Sequence, residues 1–296
     1  MVLSFDGAPV AVLTGSTNFS EGGIFGHANV VHVVEDPVVA KAYLDYWDLL
    51  AGDPVKADLA PKLDAMCSIP AAPSTGTATV FSPRSNLEAL DYYARIAGAA
   101  KDGLFMTFAF GMDRRFRAVY RTSNASLRYA LMERLVLSRR DKQKEQAERE
   151  AMLKLRWRVE NVFAVGAVLP TNAFDIWLKE SLSHLNHNVL YVHTKYLLAD
   201  PLSDDPIVVT GSANFSEASS DRNDENMLIV RGNTRVADIY LGEFLRLHRH
   251  FAFREWAAAN PEELEHPEHE FLDETDDWWG GYFGTGKNAR RREYFA

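Results

Sequence analysis

Apolar residues in this chain fall into two kinds of block. Short runs rich in Val, Ile, Leu and Phe read as strands: "VVHVV" from Val30, "ATVFS" from Ala78, "GLFMTFAF" from Gly103, "SLRYALM" from Ser126, "NVFAVGAV" from Asn161, "NVLYVHTKYLLAD" from Asn188, "PIVVTGSANF" from Pro206 and "NMLIV" from Asn226. Between them lie longer segments whose apolar residues recur every three or four positions, as one face of a helix requires. These are "VVAKAYLDYWDLL", "SNLEALDYYARIAGAAK", "DRRFRAVYR", "TNAFDIWLKESLSHL" (with Thr171 placed as its N-cap) and "TRVADIYLGEFLRL". The charged "RRDKQKEQAEREAMLKLRWRV" from Arg139 reads as a solvated helix. Strands alternating with helices predict an α/β fold, a layered mixed sheet with helices on both faces.

Part of this pattern occurs twice. At an offset of 196, Gly15-Ser16-Thr17-Asn18-Phe19-Ser20-Glu21 falls on Gly211-Ser212-Ala213-Asn214-Phe215-Ser216-Glu217. One gap later, Ala40 falls on Ala237 and Tyr43 on Tyr240. Each copy reads as strand, Gly-containing turn, strand and amphipathic helix, and so long a period in so few copies predicts a duplicated lobe rather than a solenoid. "PAAPSTGTA" from Pro70 has the composition of a linker. The expected division is the end of an incomplete first lobe over 1–69, a linker over 70–77, a complete second lobe over 78–257 and a tail over 258–296. The tail is acidic, then aromatic ("DWWGGYF"), then basic; its aromatic stretch is expected to pack over the lobes as part of the core, with contact to an amphiphile as the alternative.

Composition narrows the function without naming it. With 296 residues, 47% hydrophobic and 25% charged, the chain can bury a sizeable core. Cys67 is the single cysteine, so no internal disulfide and no zinc pattern is offered, and a reducing, cytoplasmic location is expected. No run approaches the ~18 apolar residues of a membrane span, and the N-terminus lacks a signal-peptide pattern. A net charge of −9 works against general attraction to nucleic acid.

The candidate chemistry sits in the second copy. If "LYVHTKYLL" is a strand, His193 and Lys195 share a face; if "VVTGSANF" is its neighbour, Ser212 and Asn214 project beside them. An ammonium, a hydroxyl and an amide suit an anionic phosphoryl group, and an imidazole can attack it or carry its proton. Glu225 is expected to return on the next strand and hold the other imidazole nitrogen. Asp200, seven residues from His193, faces away by parity and is expected to be structural, with Gly211 in the turn.

His193-x-Lys195-x4-Asp200 followed by Gly211-Ser212-x-Asn214 resembles the HKD signature of the phospholipase D superfamily, which includes phospholipases, phospholipid synthases and nucleases. The ten residues between Asp200 and Gly211 are more than that family usually has there, an insertion a loop tolerates cheaply. The resemblance implies a phospholipase D-like fold in which two such motifs meet about a pseudo-twofold axis. It also implies metal-independent phosphodiester chemistry with no cofactor: one histidine attacks phosphorus to form a phosphohistidine, and the other protonates the leaving group. A phospholipid or related phosphodiester is the expected substrate. Nuclease action is the alternative within the superfamily.

Only one His-x-Lys is present in that context. Without a gap, the positions matching His193 and Lys195 fall ahead of Met1; aligning Asp6 with Asp200 puts Met1 on the lysine and still leaves no histidine. The first copy keeps Ser16 and Asn18, expected to bind substrate, and has Asn29 where the second has Glu225. The expectation is a chain truncated within its first motif, whose site needs a missing N-terminal lobe or a second copy to complete it. A non-catalytic binding or scaffold lobe is the alternative of another class. Among the remaining histidines, His184, His187, His248 and His250 are expected on solvated surfaces, and His27 and His32 beside a core strand, with His27 within reach of the site mouth.

Overall fold

The structure, a computed structural model, describes residues 1–137, 140–167, 190–262 and 274–296. The helix expected over 171–185, with Thr171, His184 and His187, lies outside the described residues.

Two sheets organise the described residues. The first has three antiparallel strands, β1 (Val2–Phe5), β2 (Ala8–Gly15) and β3 (Val31–Val34), in the order β1-β2-β3. Helix α1 (Pro37–Ala51) covers one of its faces. That helix starts where Asp36 accepts hydrogen bonds from the N–H groups of Val38 and Val39, with Pro37 at a position that needs no donor. Val12, Val39, Tyr43 and Tyr46 then close over Phe81 and Leu228, so the core of the small sheet runs into the large one. Helix α2 (Lys56–Met66), which the pattern did not predict, adds Leu59 and Leu63 to that core.

The second sheet has seven strands: β4 (Gly76–Ser82), β5 (Gly103–Phe108), β6 (Leu127–Met132), β7 (Asn161–Val165), β8 (Tyr196–Ala199), β9 (Ile207–Gly211) and β10 (Glu225–Arg231). Their order is β4-β10-β9-β8-β5-β6-β7. Strands β5, β6 and β7 are parallel, linked by α4 (Arg114–Thr122) and α5 (Lys142–Arg156) as helical crossovers; the other pairings are antiparallel. Helix α3 (Glu88–Ala99) packs with α4 and α5 on one face. Beyond β9 comes the short helix α6 (Glu217–Asp221), and the long helix α7 (Thr234–Ala259) packs through Leu241, Phe244, Leu247 and Phe251 on the other face. The α/β sheet with helices on both faces is therefore present, built from near-continuous apolar strands such as the fully buried β5 and β6.

Several expectations need correction. Strand β4 begins at Gly76, inside the predicted linker. His248 is buried, its Nε2 facing the Val162 carbonyl at 3.3 Å and its ring stacked on Phe244, because α7 turns that face to the sheet. The tail returns to the second lobe as α8 (Lys287–Phe295), whose Tyr294 lies against Gly103. Its aromatic stretch stays outside: Trp278, Trp279 and Phe283 are exposed and pair with one another and Tyr282 rather than entering the core.

Candidate active site

The two Gly-Ser turns are the same structure built twice. In the first, Ser16 N–H donates to the Val30 carbonyl at 2.8 Å and Val30 N–H returns to Ser16 Oγ at 2.9 Å. In the second, Ser212 N–H donates to the Asn226 carbonyl at 2.9 Å and Asn226 N–H returns to Ser212 Oγ at 3.0 Å. Glycine precedes each serine because the strands nearly touch. A Cβ on Gly15 would stand 2.0 Å from the Val30 carbonyl oxygen, and one on Gly211 would stand 2.1 Å from that of Asn226. Asn18 and Asn214 occupy matching places, each carbonyl accepting from the N–H two residues on, Ser20 or Ser216, at 2.8 Å. The side-chain Oδ1 of Asn214 is buried and has no hydrogen-bond partner among the described residues. Even the supporting tyrosines match: Tyr43 Oη lies 3.2 Å from Thr14 Oγ1, and Tyr240 Oη 3.0 Å from Thr210 Oγ1.

His193 and Lys195 lie just ahead of β8 rather than on a strand. Thr107 stops the ladder there: its hydroxyl donates to the Thr194 carbonyl at 2.8 Å and accepts from Tyr196 N–H at 3.0 Å. The segment is instead pinned to the first lobe, where Ala28 N–H donates to the Tyr191 carbonyl and His193 N–H to the Ala28 carbonyl. Lys195 turns back, its Nζ donating to the His193 carbonyl at 2.6 Å.

The partner of the imidazole differs from the expected one. Asn29, not Glu225, meets His193 Nδ1, at 3.0 Å. The amide cannot be reversed without loss, because Asn29 Nδ2 donates to the Gly23 carbonyl at 2.7 Å while Ser16 Oγ donates to Oδ1. Oδ1 therefore accepts from Nδ1–H, which assigns the lone pair to Nε2. The cause is the bridge between Ala28 and Val192, which brings Asn29, two residues ahead of β3, beside the imidazole. Glu225 faces its own lobe's lysine, with Ser212 and Asn223 hydrogen-bonded to its carboxylate. His27 stacks on His193 with ring centroids 5.0 Å apart, and Phe110 meets it edge-on.

Burial dominates the electrostatics. His193 is pulled down to about 4, first by desolvation and then by the charges of Lys195 and His27, with the Ser16 carbonyl opposing. Lys195, only 3% exposed, is brought down to about 7 by burial against the opposing pull of Glu225. Glu225 is itself raised by burial. At neutral pH the site thus holds an uncharged imidazole beside an ammonium poised near its own pKa. Asp200 is elsewhere, in a left-handed turn at φ 49°, its carboxylate accepting from the N–H groups of Lys101, Asp102 and Gly103.

In the first lobe, Leu13 pairs with Met1 as Val209 pairs with Leu197. By that register Met1 stands at the place of Leu197, and the positions matching Lys195 and His193 precede it.

The sequence of residues 166–248 matches the family model described as "Cardiolipin synthase, PLD-like domain". Over these residues the chain is similar to a phospholipase D-like domain. Among solved structures, the chain is similar to the phospholipase D family member Nuc from Salmonella typhimurium at 13% identity, covering 57% of this chain and 91% of that one with a TM-score of 0.39. It is similar to NucT from Helicobacter pylori at 14% identity, 57% and 93% coverage and a TM-score of 0.40. It is also similar to the polyphosphate kinase from Porphyromonas gingivalis at 13% identity, 64% and 31% coverage and a TM-score of 0.37. No curated protein sequence matches the chain. The phospholipase D-like match takes in His193, Lys195, Ser212, Asn214 and Glu225. It leaves out Ser16, Asn18 and Asn29, whose link to the site is the geometry above.

Proposed function

We propose that this site performs phosphoryl transfer on a phosphodiester through a phosphohistidine on His193. The observation that carries the reading is the Asn29–His193 pair: a neutral amide holds Nδ1 and leaves an uncharged ring with its lone pair on Nε2. A carboxylate partner would stabilise imidazolium, the form a general acid needs; an amide does not, so His193 is assigned as nucleophile. Nε2 forms a bond to phosphorus as the phosphorus–oxygen bond to the leaving group breaks. Lys195 and the Ser212 hydroxyl balance charge on the phosphoryl oxygens, and Ser16 and Asn18 form the first-lobe side of the binding site. Water or another alcohol then takes the phosphoryl group from His193.

The leaving oxygen needs a proton. In the phospholipase D-like scheme a second imidazole supplies it, and we place that imidazole on a further lobe or a second copy of the chain, with Glu225 as its partner by the symmetry that sets Asn29 on His193. A phospholipid or related diester is preferred as substrate over nucleic acid, supported by the net charge of −9. Among the described residues no helix is long and apolar enough to cross a membrane. Hydrolysis of a small chromogenic phosphodiester, wild type against His193→Ala, tests the reading together with acid-labile phosphate trapped on His193. The expected result is loss of both in the variant. Equal rates would favour the second reading, a binding or scaffold lobe, which the single His-x-Lys supports. Headgroup release from vesicles against cleavage of single-stranded DNA separates the two substrate classes.

A further inference from the structure

Between β6 and β7 stands a carboxylate that the chemistry above does not use. Glu133, 1% exposed, follows the last residue of β6. Its backbone is locked on both sides: its N–H donates to the Phe108 carbonyl at 2.9 Å, and its carbonyl accepts from Ala167 N–H at 2.8 Å. Its side chain accepts from three consecutive backbone N–H groups, Leu190 at 2.6 Å, Tyr191 at 3.3 Å and Val192 at 2.9 Å. Among the described residues no cation pairs with it. A buried carboxylate is costly unless its oxygens are filled with donors, and here backbone donors fill them. Room for this contact is kept by Gly166, where a Cβ would stand 2.8 Å from Val192 Cγ2 and 3.4 Å from Glu133 Oε2.

We infer that Glu133 is the positioning residue for His193: it clasps the three residues that lead directly into the imidazole and so fixes where that ring stands. The segment needs such a clasp because it lies outside the strand ladder. Ala28 holds one side of it through a single bridge, and Glu133 holds the other from a rigid strand end. Release of the clasp frees residues 190–192 to slide, and the imidazole loses its registry with Asn29. Glu133 never touches the phosphoryl group; it acts through His193. The catalytic part of this role rests on the phosphoryl-transfer reading, whereas the positional part does not.

The test is Glu133→Gln in the full chain, which keeps the shape but turns an amide N–H₂ toward backbone donors. His193 is followed by NMR titration of its ring protons, assigned with His193→Ala, alongside turnover of the chromogenic phosphodiester. The expected result is a cooperatively folded variant whose His193 titrates closer to the ordinary 6.5 than the wild-type value near 4. Its kcat falls by about 10²-fold, the size of effect a displacement of ~1 Å produces, with KM changed less than about twofold. A folded Glu133→Gln protein whose His193 titrates as in wild type overturns the inference. Should that variant not fold, Gly166→Ala perturbs the same clasp by pushing on Val192, and an unchanged His193 titration there overturns it equally. Wild-type inactivity toward a nitrophenyl diester, whose phenolate leaves without a proton, would count against phosphoryl transfer and leave the titration test standing.

Discussion

Strands β2 and β3 of the first lobe and strands β9 and β10 of the second are the same hairpin in different company. The Gly-Ser turn, its reciprocal serine bonds and its Tyr–Thr support recur position by position. What differs is the face away from the α1 or α7 side. In the second lobe Val209, Met227 and Ile229 lie under the layer of α3, α4 and α5. At the matching places of the first lobe, Val31 and Val33 face solvent; Val33 is 59% exposed where Ile229 is 1% exposed. A turn held by local hydrogen bonds keeps its shape whether or not that face is covered, whereas the stability of the strands depends on what covers them.

The largest expected effect separates those two environments. Ile229→Ala removes a side chain from a closed layer and is expected to cost about 2–5 kcal/mol, whereas Val33→Ala on the open face should stay within about 0.5 kcal/mol. Urea unfolding of the two variants measures both. A similar cost at both positions would show that the first lobe's open face is covered in solution.

Next in size is the lysine beside the candidate nucleophile. Lys195→Met is expected to lower kcat for a phosphodiester by about 10²–10³-fold, the usual loss when one donor to a developing oxyanion is removed. It should also remove any pH dependence near 7, since Lys195 is the group brought to that value. A smaller effect should be shared. Ser16→Ala and Ser212→Ala each strip a hydroxyl from a part-buried backbone N–H, Val30 or Asn226, at a cost of about 1 kcal/mol apiece. Only the Ser212 variant should lose a bond to Glu225, so a larger activity loss there, at equal stability, would separate the turn's structural role from its chemical one.

How much of this could be read from sequence follows the same division. Elements with a strong period, such as α3, α7, β5 and β9, were legible because side-chain spacing alone decides which face is buried. The offset that joins Ser16 to Ser212 located both turns, since glycine followed by serine answers a local steric demand. Three features were not legible because they depend on partners distant in sequence. Asn29 reaches His193 across the lobes. Glu133 is a lone acidic residue after a strand, with no spacing to mark it. His248 has the flanking arginines of an exposed helix face, and only the packing of α7 on the sheet shows it buried. The strand expected through His193 failed for a related reason: the Thr107 hydroxyl replaces a ladder bond, and apolar periodicity carries no sign of that.

The smallest effect bears on the residue at which the two copies differ in charge, Asn29 against Glu225. Catalysis as proposed needs His193 uncharged and Lys195 charged, so kcat/KM should rise as pH climbs through about 4 and fall as it passes about 7. Asn29→Asp puts a carboxylate on Nδ1. An opposite charge favours the protonated ring, so the acid limb is expected to move up by about one unit, equivalent to ~1.4 kcal/mol. The alkaline limb, set by Lys195, should move far less. The sign is the decisive part. An acid limb that stays in place would mean the Asn29 contact does not set the charge state of His193, and a variant whose activity rises with ring protonation would make His193 the acid and leave the attack on phosphorus to the other imidazole.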